Sequence, residues 1–443
     1  MMAGVQQIRC FKELLTDYPA FRRSWVGSTI SMLGSRTIGV TYPLLAYTLT
    51  ESPTWIGWVM FASTVPGLLW YVPAGALIDR LGPRRVMVWS EYARGILVAL
   101  LCAAMAFDVL RLHHLVIVAL LEGTLSINSS VAETALIPTT VKPGNVETAL
   151  ALHEGSVHGM VLAGRPLGGM LFGLGPIVPF LANTLMFFSA GRVLSRLERD
   201  ITAKGPRGRL LADMRAGLVE LWNHRFLRAA TIVTALMNLM VQGLIVVFLS
   251  KATNDGLPSA LAGVILAASG IGGIAGALLS PRWRHIWQRV VRRASRRRRA
   301  AVLIDRFGLA RLDGSMMLAH TWMCAAALTL PLALNQAPPV FAVSLAAIGL
   351  TGGLSNVTIR TALSRVPSDL VARVVGVSRL GSYSAVALGP LLASLLIGRV
   401  EPFAALLLLS LTVLVLALVV TLVPVLRSSL IPQEGPESVP VTS

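Results

Sequence analysis

Charged side chains inside long apolar stretches are the residues of this sequence whose types could do chemistry. Arg36 and Glu122 each lie near the middle of such a stretch. A charge at the centre of a bilayer costs at least about 2.5–3.5 kcal/mol unless it is paired or reached by water, so it marks a functional position. We therefore predict that Arg36 and Glu122 face each other in an internal cavity, as an ion pair or around a substrate.

Glu154 and His158 form a second candidate pair, because they lie four residues apart and hence on one face of a helix. A carboxylate removed from water and a histidine can both exchange protons near neutral pH. Glu122, Glu154 and His158 are therefore candidate proton carriers. In the other interpretation, these groups satisfy hydrogen bonds of neighbouring helices. Glu91 and Arg94, three residues apart, are predicted to pair with each other.

Three uncharged polar residues of the C-terminal half are further candidates for the cavity lining: Asn238, Gln242 and Asn356. Asn238 and Gln242 lie four residues apart and share a helix face. Neutral donors and acceptors suit a substrate that is mainly apolar with a few polar groups. Hydrogen bonding between helices would explain the same residues, and the sequence leaves both interpretations open.

The sequence contains none of the arrangements expected of an enzyme. Its cysteines, Cys10, Cys102 and Cys324, have no metal-ligand spacing. It has no nucleophile elbow, and no glycine-rich phosphate loop followed by Lys-Ser or Lys-Thr. We therefore expect neither enzymatic activity nor a metal or other cofactor.

The apolar composition indicates which elements must hold these residues. Only 14% of the residues are charged and 54% are hydrophobic, whereas a soluble domain carries about 25% charged residues. Such a chain requires lipid as its solvent, and a helix needs about 20 apolar residues to cross a bilayer. The break at 173–176 is weak, so eleven spans are an alternative to twelve. The twelve candidate stretches are 24–49, 55–78, 85–107, 114–136, 146–168, 177–194, 227–250, 259–280, 316–334, 340–359, 374–397 and 403–426.

The distribution of basic residues predicts the orientation. With twelve spans, 32 of the 39 lysines and arginines lie on the side that holds both termini. By the positive-inside rule, that side is the cytoplasm. We predict a multi-pass protein of the cell membrane with both termini cytoplasmic, and the net charge of +18 then requires no nucleic acid as partner. The run Arg292–Arg299 either reinforces this topology or contacts anionic lipid headgroups.

Similarity between the two halves predicts an internal repeat. The segment that begins at Gly75 matches the segment that begins at Gly276, at an offset of 201 residues, and later matches have offsets near 225. Six spans per half make the repeats parallel, with a cavity between them. The predicted order is a cytoplasmic leader (1–23), an N-terminal six-helix half (24–194), a cytoplasmic linker (195–226), a C-terminal six-helix half (227–427) with a basic loop (281–314), and a disordered cytoplasmic tail (428–443).

A motif rich in glycine and arginine lies between the second and third spans. It comprises Gly75, Leu77, Asp79, Arg80, Gly82, Arg84 and Arg85. This motif resembles the signature loop of the major facilitator superfamily. The resemblance implies an all-α membrane protein with twelve transmembrane helices in two parallel six-helix repeats around a central cavity. Three further segments, 43–53, 136–138 and 372–374, resemble the superfamily's branch of proton-driven drug, siderophore and macrolide exporters.

The resemblance also implies a conformational latch between the cytoplasmic ends of the two halves. Asp79 would accept hydrogen bonds from the amino end of the eleventh helix, beside Arg373, and pair with the arginines of the motif. A carboxylate at a helix N-terminus is favoured by about 0.3–1 kcal/mol. The second copy of the motif has Ser280 in place of this acid, so a latch there must differ.

The fifth span resembles the glycine-proline motif of exporters in the same superfamily. Small residues permit close helix packing, and proline supplies a bend. Arg165 interrupts the usual Gly-Pro pair. In the first span, Ser35 lies where this branch often has an acid, which shifts the predicted proton carrier to Glu122 and Glu154. The members of the glycine-proline motif are Gly159, Gly164, Pro166, Gly168 and Gly169.

Together these features predict a monomeric secondary transporter. It would export a small amphipathic molecule, such as a drug, siderophore or metabolite, in exchange for protons by alternating access. Its partners would be that small-molecule substrate, protons and membrane lipids. The alternatives are import of a small nutrient on the same fold and, from a different class, lipid transport or scrambling.

Overall fold

The structure of the chain is a computed structural model that describes residues 13–142, 145–197, 218–219, 221–223, 225–296, 316–363 and 368–422. Within these ranges the regular secondary structure is helical, with no β-strand. Helices are present in each of the twelve predicted spans. The all-α fold predicted from the sequence is therefore confirmed.

The N-terminal half contains the helices of the first six predicted spans. Their bounds are α1 Pro19–Thr50, α2 Pro53–Thr64, α3 Pro66–Leu69, α4 Tyr71–Leu81, α5 Pro83–Ala106, α6 Leu112–Leu136, α7 Val146–Leu174 and α8 Val178–Ser195. Three short helices, α2 to α4, share the second span. Proline lies in the first turn of α1, α2, α3 and α5, where its missing N–H leaves no helical hydrogen bond unmade.

The C-terminal half repeats the pattern with one helix for each span. Their bounds are α9 Arg225–Asn254, α10 Ser259–Ser295, α11 Met316–Ala333, α12 Pro338–Leu363, α13 Ser368–Ile397 and α14 Pro402–Leu422. By length and hydropathy alone, six helical stretches of the described residues could cross a membrane; the other helices are shorter or more polar. The six are Pro83–Ala106, Leu112–Thr139, Arg228–Asn254, Ser259–Leu279, Pro338–Asn356 and Pro402–Leu422.

Three glycines with positive φ separate consecutive helices among the described residues, and Gly256, between α9 and α10, has φ of 68°. Gly82 lies between α4 and α5 with φ of 86°, and Gly175 lies after α7 with φ of 152°. Residues with a Cβ avoid these angles, so glycine allows the chain to turn there. Because α7 and α8 are two helices divided at Gly175, the alternative of eleven spans is wrong.

The two halves contact each other along two seams. We call the end of the bundle at which α1 and α9 begin the terminus end, and the opposite end the far end. Near the far end, α2 lies so close to α13 that a Cβ on Gly57 would be 1.9 Å from Ser394 Oγ. In the second seam, a Cβ on Gly169 of α7 would be 2.2 Å from the carbonyl oxygen of Ser259 in α10. Only glycine permits this approach of the backbones.

The first half of α7 is less crowded than its second half. A Cβ on Gly155 or on Gly159 would meet no described atom within 4 Å. Within the described residues, open space therefore lies beside these two positions, while the two seams hold the halves together nearer the far end.

The described helices also bear on the predicted basic loop, 281–314. Helix α10 continues to Ser295, beyond the predicted end of the eighth span at 280. Its last turn contains Arg292 and Arg293, and basic side chains at a helix C-terminus are favoured by the helix dipole. The first part of this segment is therefore helical. Most of the predicted linker and the whole tail lie outside the described residues, so those boundaries stay predictions.

Candidate functional site

A buried cluster of charges lies in the middle of the N-terminal half. Arg94 of α5 pairs with Glu91 of the same helix, with 3.2 Å between Nη1 and Oε1. It also pairs with Glu122 of α6, with 2.6 Å between Nη2 and Oε1. Glu122 is 5% exposed, and Arg94 and Glu91 are less exposed still. Two carboxylates therefore share one guanidinium inside the protein.

Three serines complete the hydrogen bonding of this cluster. Arg94 donates from Nη1 to Ser31 Oγ at 2.7 Å and from Nη2 to Ser35 Oγ at 2.5 Å. Ser129 of α6 donates to Glu91 Oε1 at 2.6 Å. We call these three serines, together with Glu91, Arg94 and Glu122, the charge cluster. Its hydrogen bonds join α1, α5 and α6.

Helical spacing brings the members of the charge cluster together. Glu91 and Arg94 are three residues apart on α5, and Ser31 and Ser35 are four apart on α1, so each pair occupies one face of its helix. The ring of Phe187, on α8, covers the guanidinium, with its centroid 4.0 Å from Arg94 Cζ. Such a cation–π contact stabilises a buried guanidinium. The predicted pairing of Glu91 with Arg94 is confirmed.

The charge cluster contains one more carboxylate than guanidinium groups. With both carboxylates ionised it carries one net negative charge, which is unfavourable inside the protein. Glu91 Oε1 accepts from two serines as well as from Arg94. Glu122 accepts from Arg94 at Oε1, and within the described residues its Oε2 has no donor. A proton on Oε2 of Glu122 would make the cluster neutral without displacing a hydrogen bond.

The predicted pairing of Arg36 with Glu122 is corrected by the structure. Glu122 is turned toward α5 and pairs with Arg94. Arg36 instead lies against α7, where a Cβ on Gly164 would be 2.5 Å from Arg36 Cβ. The sequence indicates how deep each residue lies in the bundle. It does not indicate the direction in which each side chain leaves its helix, and this direction separates the two residues.

Arg165 of α7 connects the two halves. Its Nη1 donates to the carbonyl oxygen of Leu266 at 2.8 Å and to Ser269 Oγ at 2.7 Å, both in α10. Arg36 is near enough for the two positive charges to repel each other. We call Arg36 and Arg165 the arginine pair. Sequence reasoning treated Arg165 only as an interruption of a motif, although a charge within a span was the signal that could have identified it.

The glycine-proline motif brings α7 close to two neighbouring helices. Gly164 and Gly168 face α1, and a Cβ on Gly168 would be 2.7 Å from the carbonyl oxygen of Thr37. Gly169 faces α10 across the seam between the halves. Pro166 lies inside α7, while Gly159, near the middle of α7, borders the space that no described residue fills.

The signature motif lies at the end of α4 and the start of α5. Arg84 donates from Nη2 to the carbonyl oxygen of Ser195 at 2.5 Å, which connects α5 to the end of α8. Gly82 provides the turn between α4 and α5, and Gly75 meets no described atom within 4 Å. Arg80 and Arg85 are exposed.

Several predicted site residues have side chains outside the described residues. They are Asp79, Glu154, His158 and Arg373. The latch between the halves and the proton-carrying roles of Glu154 and His158 therefore stay predictions. Close to this region, His153 Nδ1 of α7 lies 3.0 Å from Glu133 Oε1 of α6, a contact that is an ion pair when the histidine is protonated.

The polar residues predicted in the C-terminal half have different surroundings. Gln242 of α9 donates to the carbonyl oxygen of Val386 in α13 at 3.4 Å, a contact between helices. Asn238 is partly exposed and Asn356 is exposed. A polar contact that the sequence analysis missed joins His320 to Ser355, with 2.5 Å between Nδ1 and Oγ. The two residues lie on different spans, and no spacing rule in the sequence links them.

Among the described residues, neither a metal-binding group nor a surface cavity at the far end offers a better candidate site than these charges. Within the described ranges, no group of three or more His, Cys, Asp or Glu residues could hold a metal ion. A cavity of about 220 Å³ lies at the surface of the far end, away from the charge cluster. It is lined by Lys251, Asn254, Asp255, Gln336, Glu401, Pro402 and Phe403.

The family model of the Major Facilitator Superfamily matches residues 24–304. Over 271 residues the chain is 26% identical to the uncharacterized MFS-type transporter y4rN of Sinorhizobium fredii, a match that covers 60% of this chain and 67% of that protein.

Two solved structures share the fold. The crystal structure of the nucleoside transporter NupG matches with a TM-score of 0.64 and 12% identity, over 90% of this chain and 98% of that chain. A bacterial homologue of the iron transporter ferroportin, in an inward-facing state, matches with a TM-score of 0.64 and 17% identity, over 91% of this chain and 98% of that chain. At such identities these matches establish the fold alone.

Proposed function

We propose a transport function from one established premise: this chain belongs to the Major Facilitator Superfamily. It is a multi-pass membrane protein with a transporter fold. Our proposal is that it acts as a monomeric secondary active transporter, which exports a small amphipathic molecule in exchange for protons by alternating access. The charge cluster is the observation that carries this proposal, because it holds two carboxylates on one guanidinium, and Oε2 of Glu122 has no donor among the described residues.

Glu122 is the proposed proton carrier. A neutral carboxyl group attracts a guanidinium less strongly than a carboxylate does, so protonation of Glu122 would loosen its hold on Arg94. Arg94 also donates to Ser31 and Ser35 of α1. Helix α1 packs against α7, which forms one of the two seams. Protonation of Glu122 would therefore change contacts of α1 next to the interface between the halves.

The proposed orientation makes this conformation inward-open. The distribution of basic residues favours a cytoplasmic terminus end. The two seams would then close the outer side, and the space beside Gly155 and Gly159 would open to the cytoplasm. A substrate would enter from that side. Closure of the terminus end, with the predicted contact of Asp79 and the start of α13, would then expose the substrate to the outside.

The direction of transport rests on the resemblance to exporters. The glycine-proline motif of α7 and the segments 43–53, 136–138 and 372–374 support export. Import of a nutrient and lipid scrambling are possible on the same fold, and the two differ from export in how they respond to a proton gradient. Transport in vesicles therefore separates the three functions.

Everted membrane vesicles from cells that express the full chain provide the test. Respiration acidifies the vesicle interior, and an acid-sensitive fluorescent dye reports the gradient. A panel of drugs, siderophores and organic acids is added one compound at a time. We expect at least one compound to accumulate in the vesicles and to dissipate the gradient as protons leave.

Two variants assign the proton step. Glu122→Gln keeps the shape of the side chain but cannot ionise, so we expect accumulation to lose its dependence on the gradient. Glu401→Gln is the matched control, because Glu401 is exposed at the far end, and it should behave as the wild type. Full proton-coupled activity of Glu122→Gln would exclude Glu122 as the carrier. Uptake into right-side-out vesicles down the proton gradient would indicate an importer, and gradient-independent lipid mixing a scramblase.

A further inference from the structure

The arginine pair places two positive charges at one depth between α1 and α7. The two helices run parallel, since Trp25 Nε1 donates to Ser156 Oγ at 2.7 Å nearer the terminus end. Further along, Thr37 Oγ1 donates to the carbonyl oxygen of Gly164 at 3.4 Å. Arg36 and Arg165 adjoin this second contact, so they lie at the same level of the bundle.

Arg165 retains donors that the protein does not use. Both of its hydrogen bonds are made by Nη1, to the neutral acceptors Leu266 and Ser269. Within the described residues, Nε and Nη2 have no acceptor and Arg165 has no ion pair. The side chain is partly exposed although it lies nine residues before the end of α7. A guanidinium facing lipid at such a depth would be costly, so this exposure is best explained by the space between the halves.

The opposite wall supplies no carboxylate. None of the six spans of the C-terminal half contains an aspartate or a glutamate. In the N-terminal half, the carboxylates of Glu91 and Glu122 pair with Arg94, and that of Glu133 lies against His153, twelve residues before Arg165 on α7. Among the described residues, Arg165 therefore has no carboxylate beside it, and it faces a half without acidic residues in its spans.

We propose that the arginine pair binds the carboxylate of the substrate, so that the transported molecule is an organic anion with an apolar body. This inference rests on the proposed transport function and specifies its substrate class. A planar guanidinium matches a carboxylate with two parallel hydrogen bonds, and Nε and Nη2 of Arg165 form such a fork. The apolar residues of the spans would contact the rest of the molecule.

Substrate binding at Arg165 would also act on the seam between the halves. The same guanidinium contacts the carbonyl oxygen of Leu266 and the hydroxyl of Ser269 in α10. A carboxylate that attracts the guanidinium toward the cavity competes with these two contacts. Substrate binding and release of the far-end seam would then be linked through one side chain.

A matched series of probes tests the charge requirement. The full-length protein, purified in detergent, is titrated with 2-naphthoate, 2-naphthamide and 2-naphthamidine, which share one ring system and are anionic, neutral and cationic. The shift in the midpoint of thermal unfolding reports binding. We expect saturable stabilisation by 2-naphthoate only, and 2-naphthyl phosphate shows whether phosphate serves as well as carboxylate.

Variants place the binding at the arginine pair. Loss of one charged hydrogen-bonding partner should weaken 2-naphthoate binding by about tenfold or more in Arg165→Gln and in Arg36→Gln. Arg399→Gln, at an exposed position of the far end, should bind as the wild type does. Arg165→Lys retains the positive charge but not the pair of parallel N–H donors, so it should bind 2-naphthoate with intermediate affinity. This variant replaces Arg165→Gln in the comparison if the glutamine variant does not fold.

The outcomes separate this inference from the proposed function. Equal binding by wild type and both glutamine variants, preference for the amidine, or no anion binding would overturn the anion site. Proton-coupled accumulation of a cation or neutral compound in everted vesicles would overturn it as well, while leaving proton-coupled export intact. If the protein binds 2-naphthoate but transports no protons, the anion site is supported and the proposed proton coupling is overturned.

Discussion

Arg94 holds Glu122 through two nitrogens that converge on one oxygen, with Nε at 3.0 Å and Nη2 at 2.6 Å from Oε1. The remaining N–H groups of Arg94 are taken by Glu91, Ser31 and Ser35. One side chain of α5 thus sets the positions of two carboxylates and contacts α1. The stability of the N-terminal half and the proposed proton step on Glu122 therefore depend on the same guanidinium.

Replacement of Arg94 by methionine should strongly destabilise the protein. Removing one partner from a buried ion pair typically costs about 3–5 kcal/mol, because a charge is left without compensation. The triple variant Arg94→Met, Glu91→Gln, Glu122→Gln removes the charges together and should recover most of that loss. Thermal unfolding in detergent measures both. Equal unfolding midpoints for the single and triple variants would show that the loss comes from packing rather than from charge.

Leucine in place of Gly169 should open the seam between α7 and α10. Even a Cβ there would lie 2.2 Å from the carbonyl oxygen of Ser259, so the backbones must separate. A single cysteine, Ser394→Cys in a background without the native cysteines, reports on the far end because Ser394 is fully buried. We expect several-fold faster reaction with a membrane-impermeant maleimide in the Gly169→Leu variant.

Gly159→Leu is the matched control for that experiment. Gly159 lies on the same helix, where a Cβ would meet no described atom within 4 Å. Reaction of the reporter cysteine should therefore stay at the level of the parent protein. If both leucine variants accelerate the reaction equally, the effect is not specific to the seam.

Alanine at Gly82 should be costlier than alanine at Gly75, although both belong to the signature motif. Gly82 has φ of 86° and ψ of 142°, a region that is populated almost only by glycine and costs about 1–3 kcal/mol for other residues. Gly75 lies within α4 and has open space around it. Thermal unfolding of Gly82→Ala and Gly75→Ala compares them, and a larger loss at Gly75 would contradict the backbone explanation.

Anionic lipids should stabilise the protein through the basic end of α10. Arg292, Arg293 and Arg296 are exposed, and a basic residue near an anionic surface contributes about 1 kcal/mol. We expect phosphatidylglycerol in nanodiscs to raise the unfolding midpoint of the wild type more than that of the variant with these three arginines changed to glutamine. Arg111→Gln, on the opposite side of the membrane, should not alter the lipid effect; an unchanged response in the triple variant would exclude this lipid contact.

Several properties of this protein follow from its sequence alone. The lengths of the apolar stretches specify the helices, since lipid cannot hydrogen-bond to the backbone. The break at Gly175 was ambiguous in the sequence because only four residues separate the two stretches, and the backbone angle of that glycine resolved it. The pairing of Glu91 with Arg94 was also predictable, because helix geometry brings residues three apart together whatever surrounds them.

The partners of the other buried charges required the tertiary structure. Glu122 pairs with a residue of another helix, and Arg165 with an acceptor 101 residues away in the other half. In a membrane protein the lipid-facing and buried faces of a helix are both apolar, so the sequence pattern does not show how a helix is rotated about its axis. The level of each charge along its helix was therefore determined by the sequence, whereas the packing of α1, α5, α6, α7 and α10 decided which of these charges meet.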